Sequence, residues 1–363
     1  MALPSLLVLY GQPANLSTSF QTQCLAEALA SHFDIRHRRV MATEGHRSQQ
    51  LIRVLSNVVY PVLRPIRTDY ALYANDGFVD LRRIQGTKLL YWYDAPKDWV
   101  LTPPAPWQYV SHTRYNNVKS ADYVFAVSQV QVQTARALRG ERADAVVYLP
   151  VGVDTREFTI TGADPERIKE RFGIPRDRIV VGYLGRIGQM AGRYAGQALV
   201  EVAPELAKQF DVHFLVVGSG PGLKAFRRDI VRLDLGNRFT FTGFVGQEIL
   251  PSCISAMDVC VDTLEPGFHS EARSETKLKQ YMSMSRACVA TNIGENRVDL
   301  DDGKCGVLCD SGPSALHHGI AMLCGDREIR ERLGGAARLR AEQVYDWRHL
   351  AQRLLAAIGH GAL

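Results

Sequence analysis

"RIVVGYLGRIGQMAGRYAGQALVEVAPELAKQFDVHFLVVGSGPG", residues 178–222, decides the fold. Two short apolar runs, IVVGYL and VHFLVV, each stop at a glycine, and ALVEVAPELAKQF between them carries helical periodicity. Apolar strands alternating with amphipathic helices are the pattern of an open parallel sheet covered by helices. The same alternation continues downstream through FTFTGFV, DVCVDTL, RACVATN and CGVLCD. It also exists upstream, where SLLVLYGQ precedes the helix-like FQTQCLAEALASHF and is followed by IRHRRV, KLLYWYD, ADYVFAVS and AVVYLP.

The class is therefore α/β, with two Rossmann-like halves. At 363 residues the chain is too long for one ordinary core. We expect a first domain over residues 1–160 and a second over 170–344, with the Pro-, Gly- and charge-rich segment 154–177 as the linker. The last helical stretch puts Trp347, Leu350, Leu354 and Ile358 on one stripe, so residues 345–363 are expected to pack back on the first domain.

Hydrophobic content of 46% and charged content of 22% are those of a soluble globular protein. No apolar run approaches the ~20 residues that span a bilayer, and SLLVLY follows Met1 with no basic region, as a first strand would and a signal peptide would not. Seven cysteines scattered from Cys24 to Cys324 make no disulfide framework, which points to the cytoplasm; Cys305 and Cys309 read as core residues. From Asp34 to Arg67 lie seven arginines against two acids, Asp34 and Glu44. With no zinc-ligand pattern, aromatic RNA-binding strand or basic repeat beside them, nucleic acid is a poor partner. An anionic membrane surface touching residues 45–70, or an anionic acceptor, explains the arginines better.

Residues 274–296, SETKLKQYMSMSRACVATNIGEN, raise a question of charge. Ser274 is placed to cap a helix whose first turn holds Lys277, although a helix start already carries about half a positive charge and favours acids. Two readings follow: a solvated, charge-mixed helix start, or an anion site where amide N–H groups and a lysine converge on a phosphate.

The order VGYLGRIG, HFLVVGSGPG, FTGFV, DVCV, TKLKQYMSMSRACVATNIGEN, DGKCGVL and a late YDW resembles the donor domain of GT-B glycosyltransferases, glycosyltransferase family four in particular. ADYVFAVS and LPVGVDTREF resemble that family's interdomain segment, so the likeness spans most of the chain, more loosely in the first half. It implies two Rossmann-like domains facing across a cleft and a nucleotide diphosphate sugar as donor substrate. It also implies that Gly185 lets backbone approach phosphate, that Arg186 supplies a fork of donors to its oxygens, and that Ser274, Thr276 and Lys277 hold the pyrophosphate. Gly218 belongs to the second glycine turn, and the backbone of Phe244 and Val245 is expected to face the base.

The sequence departs from the family in places. A lysine is usual six residues after Gly185; here stands Ala191, with Arg193 as the substitute. Gln280 replaces the usual ribose-binding glutamate, and either Glu271 or Glu265 corresponds to the earlier acid of the paired-glutamate motif. In the acceptor half, GQPANLSTSF offers Gly11, Asn15, Ser17 and Thr18, although Ser17 serves equally as a helix cap. Tyr93 and Asp94 stand where the family often has a histidine-aspartate pair, so Asp94 is either a proton acceptor, a sugar-hydroxyl ligand or a structural cap. Asp299-Leu300-Asp301 forms a DxD but runs into the turn signature Asp302-Gly303, so no metal and no cofactor is expected.

The implied function is transfer of a sugar from a nucleotide diphosphate to a glycan or lipid-linked acceptor, with retention of configuration, in surface polysaccharide or glycoconjugate synthesis. Arg186, Lys277 and Asp94 are the catalytic candidates. A nucleotide-sugar epimerase on the same fold and a non-catalytic nucleotide-sugar-binding subunit are the rivals.

Overall fold

The computed structural model describes residues 2–10, 17–39, 66–74, 79–93, 115–190 and 193–360. They form two compact units, one of residues 1–152, 267–274 and 347–363 and one of residues 153–266 and 275–346.

The first unit is built on a wholly parallel six-stranded sheet of β1 (Ser5–Tyr10), β2 (Asp34–Arg39), β3 (Ile66–Tyr73), β4 (Ile84–Trp92), β5 (Tyr123–Ala126) and β6 (Val146–Tyr148). The order is β2-β1-β3-β4-β5-β6. Successive side chains point to opposite faces. Leu72, Leu89, Tyr91 and Phe125 therefore pack with Leu25 from the helix Ser17–Ala28, with Leu29 just beyond its end, and with Trp347, Leu350 and Leu354 from the last helix, Trp347–Ala357. Ala71, Tyr73, Leu90 and Trp92 pack on the other face with Val132 and Ala135 of the helix Gln129–Arg139.

Strand β3 corrects the sequence reading, which groups residues 45–70 as one basic segment. Ile66–Tyr70 begin a strand wedged between β1 and β4, and Arg67 donates from Nε to Gln85 Oε1 across the sheet. The rest of that segment, with Arg47, Arg53 and Arg64, lies outside the described residues.

The second unit repeats the design with β7 (Ile179–Leu184), β10 (Val212–Val217), β11 (Phe239–Gly243), β12 (Val259–Asp262), β13 (Ala287–Thr291) and β14 (Val307–Cys309), in the order β11-β10-β7-β12-β13-β14. A small antiparallel ladder, β8 (Gln189–Met190) with β9 (Arg193–Tyr194), follows β7. Six strands and their order along the chain agree with the apolar runs read from the sequence. The stretch 154–177 is not a loose linker: Phe158, Ile168 and Ile174 are buried in this unit's core, and the helix Pro165–Phe172 is capped by Asp164, which accepts from Arg167 N–H at 2.9 Å.

A buried hydrogen bond and a half-buried arginine tie the ends of this unit together. Thr155 donates to Asp346, and Arg338 donates to the carbonyls of Thr155 (3.0 Å), Phe158 (2.7 Å) and Ser283 (2.5 Å). Deeper still, the Lys279 ammonium bonds the Asp299 carboxylate, both fully inaccessible, with the ammonium 5.3 Å from the Tyr345 ring centroid. Burial pushes the Asp299 carboxyl above its ordinary range, while Lys279 and Tyr345 pull it back. Removing one member of such a pair strands the other charge in a low-dielectric interior. Lys279→Met should therefore cost about 3 to 5 kcal/mol in chemical denaturation, and adding Asp299→Asn should recover part of that loss.

Candidate functional site

In a parallel sheet every strand ends at the same edge, and ligands gather where the strand order reverses. In the second unit that reversal lies between β7 and β12, because β10 and β11 were added on one side and β13 and β14 on the other. Gly185 leaves β7 there and Asp262 ends β12 there.

The loop after β7 is held by the loop after β10. Gly185 N–H donates to Val217 O at 3.0 Å, Ile187 N–H to Ser219 O at 3.0 Å, and Gly222 N–H to Ile187 O at 2.9 Å. Gly185 adopts φ +148° and Gly218 φ +137°, backbone that residues with a Cβ rarely adopt. At Gly218 a Cβ would lie 2.0 Å from the Gly185 carbonyl oxygen. The glycine turn thus has a structural purpose of its own: it lets two loops stack backbone on backbone. Gly218 N–H also donates to Gly243 O at 2.9 Å, which brings in the turn carrying Phe244, 78% exposed, and the half-buried Val245.

The helix Thr276–Ser283 is fastened to the end of β7 by Tyr281, whose hydroxyl oxygen accepts from Leu184 N–H at 2.7 Å. This places Lys277 beside Gly185, where a Cβ would lie 3.9 Å from Lys277 Cδ. The ammonium sits 2.8 Å from Asp262 Oδ1, 3.7 Å from Glu275 Oε2 and 5.0 Å from the centroid of the Tyr183 ring. Burial opposes its charge, but Asp262, with Tyr183 and Glu275, more than reverses that effect and holds the lysine above its ordinary value. The cation in the first turn, unfavourable for the helix alone, is compensated by carboxylates from outside it. Arg186 is exposed and makes no ion pair among the described residues.

Ser274 does not cap this helix. Glu275 occupies the cap position, and Ser274, buried and grouped with the first unit, accepts from Val151 N–H at 3.4 Å. Thr276 opens the helix, and Gln280 is buried one turn later. Arg193 is bracketed by two acids, 3.1 Å from Glu201 and 3.2 Å from Glu265, so the structure gathers Glu265 to Arg193 and places Glu271 with the first unit. Asp299 of the DxD is turned inward on Lys279.

In the first unit, Ser17 and Thr18 begin the helix Ser17–Ala28, and Tyr93 follows β4 with its ring centroid 6.5 Å from that of Tyr91. Gly11, Asn15 and Asp94 lie outside the described residues. Sequence reasoning missed Asp262 and Tyr183. Their signal was available: an acid ending the apolar run VCVD, and an aromatic two residues before a glycine turn.

A family pattern, "Glycosyl transferases group 1", matches residues 178–326. That match falls mostly within the second unit. Both units share the fold of GT-B structures. The chain superposes on Anabaena HepE in complex with UDP-glucose with a TM-score of 0.74 at 18% identity, over 98% of this chain and 99% of that one. WaaG, a glycosyltransferase involved in lipopolysaccharide biosynthesis, gives 0.71 at 13% identity, over 97% and 98%. Among curated relatives, 2-deoxystreptamine glucosyltransferase of Streptomyces kanamyceticus is 34% identical over 150 residues, 40% of this chain and 37% of that protein. The GDP-mannose-dependent alpha-(1-6)-phosphatidylinositol monomannoside mannosyltransferase of Mycolicibacterium smegmatis is 29% identical over 243 residues, 64% of this chain and 61% of its own length. The chain thus spans between about a third and two thirds of the length of these relatives. Among the described residues no helix is long and apolar enough to cross a membrane.

The stacked loops predict opposite outcomes for two glycines. Gly218→Ala forces both a strained φ and a backbone clash and should lower stability by well over 1 kcal/mol. Gly188→Ala meets nothing within 4 Å and should leave the melting temperature unchanged or slightly raised.

Proposed function

We propose that the chain transfers a sugar from a nucleoside diphosphate sugar to an acceptor, with the donor's diphosphate at the head of the helix Thr276–Ser283. The observation that carries this reading is the convergence, at the switch point of the second sheet, of the Lys277 ammonium with the glycine-bounded end of β7. Relatives whose printed names include glucosyl and mannosyl transfer support it, as does a fold shared with a protein solved with UDP-glucose.

As the bond between sugar and diphosphate breaks, the departing oxygen gains negative charge. Lys277 and Arg186 then meet a stronger charge than in the bound donor, so they lower the barrier and not merely the energy of the complex. In the retaining course the departing phosphate also takes the acceptor's proton. Asp94, as a base, would instead serve inversion. The arginines between Arg36 and Arg67 suit an anionic acceptor, glycan or lipid-linked, met at the inner face of a membrane. The pairing of Asp299 with Lys279 argues against the DxD pair as two ligands for a metal.

A thermal-shift screen of UDP, GDP, ADP and dTDP tests the donor site, since ligand at a hundredfold its Kd stabilises the native state by about 2.7 kcal/mol. One nucleotide should stand out; a flat response to all four overturns the reading. With that donor, Arg186→Ala and Lys277→Ala should each lower turnover at least about tenfold, the worth of a charge-assisted hydrogen bond. EDTA should leave the rate unchanged.

A further inference from the structure

Lys277 is held by carboxylates. Asp262 is fully inaccessible, the last residue of β12, with β7 and β13 on either side and its Cα in register with Ala290. It approaches the Lys277 ammonium to 2.8 Å, and Glu275 adds a second carboxylate at 3.7 Å. One cation therefore faces two anions at the place where the reading above seats a diphosphate. If tight binding were the only demand on the site, a buried carboxylate there would be a defect, because like charges brought together without intervening water repel strongly.

A transferase must also release its nucleoside diphosphate after every turnover, and release often limits the rate. We propose that Asp262 is a positioning residue with two effects on the leaving group: it holds the Lys277 ammonium against the end of β12, and its charge keeps the released diphosphate from binding too tightly. This rests on the assignment of Lys277 to the donor's phosphates. The strand fixes the carboxylate, whereas the lysine reaches it through a flexible stem, so an arriving diphosphate shares the ammonium with Asp262 and does not replace it. Tyr183, whose ring underlies the ammonium, limits where that stem can go.

Asparagine keeps the shape of Asp262 and an oxygen for Lys277 but removes the charge. Asp262→Asn should bind UDP or GDP, whichever the wild type prefers, about tenfold more tightly by calorimetry, while kcat falls and KM for the donor falls with it. A residue that only supports the fold would instead weaken nucleotide binding, so unchanged or weaker binding by a folded Asp262→Asn protein overturns the proposal. A second pair of variants reads the same repulsion independently. Lys277→Met should lose nucleotide affinity, and Asp262→Asn added to it should recover part, because the uncovered carboxylate is gone. No recovery overturns the proposal even if Asp262→Asn alone does not fold. Failure of the underlying phosphate assignment looks different: Lys277→Met would then bind the nucleotide as the wild type does.

Discussion

Every named feature of the second unit depends on one constraint, that six parallel strands end on one edge. A parallel sheet collects the loops after β7, β10, β11 and β12 on a single side, and the reversal of strand order parts the loops on either side of β7 and β12. The glycines then determine how near the loops come. Gly218 admits the carbonyl of Gly185 where a methyl group would collide, and the resulting stack carries the Gly243–Phe244 turn with it. The helix Thr276–Ser283 is drawn to the same edge by the Tyr281 hydroxyl.

Two lysines on that helix show how little the sequence of charges says by itself. Lys277 and Lys279 are two residues apart, and positions so spaced do not share a helix face. Each finds a buried aspartate, Lys277 at the end of β12 and Lys279 at Asp299 in the core. The side chain of the first remains 12% exposed, whereas the second is sealed. Gln280, between them in role, is buried at the same helix without a charge to compensate.

The tripeptide Tyr345-Asp346-Trp347 divides its work between the two units. Tyr345 lies over the Lys279 ammonium and Asp346 accepts from Thr155, both within the second unit. Trp347 begins the last helix and packs in the first unit, where it lies so near Gly152 that a Cβ there would meet the indole at 2.6 Å. The chain thus changes units beside groups that are fully committed on each side.

What the sequence determined by itself was whatever follows from periodicity and local chemistry: six apolar runs as the strands of the second sheet, helices between them, and glycines where backbone must turn. The likeness to group 1 glycosyltransferases was legible for the same reason, since the order of those elements is itself written along the chain. The acceptor half was less legible, because β3 begins inside a segment grouped by its charge, and its place between β1 and β4 is set by pairing with strands far along the chain. Tertiary structure alone decided which partner each charge would have. Asp262 precedes Lys277 by fifteen positions and Asp299 follows Lys279 by twenty, and nothing local selects between them. Ser274 likewise reads as a helix cap, but its hydroxyl accepts from Val151 N–H. Charges pair through space at distances that only the packed strands and helices set.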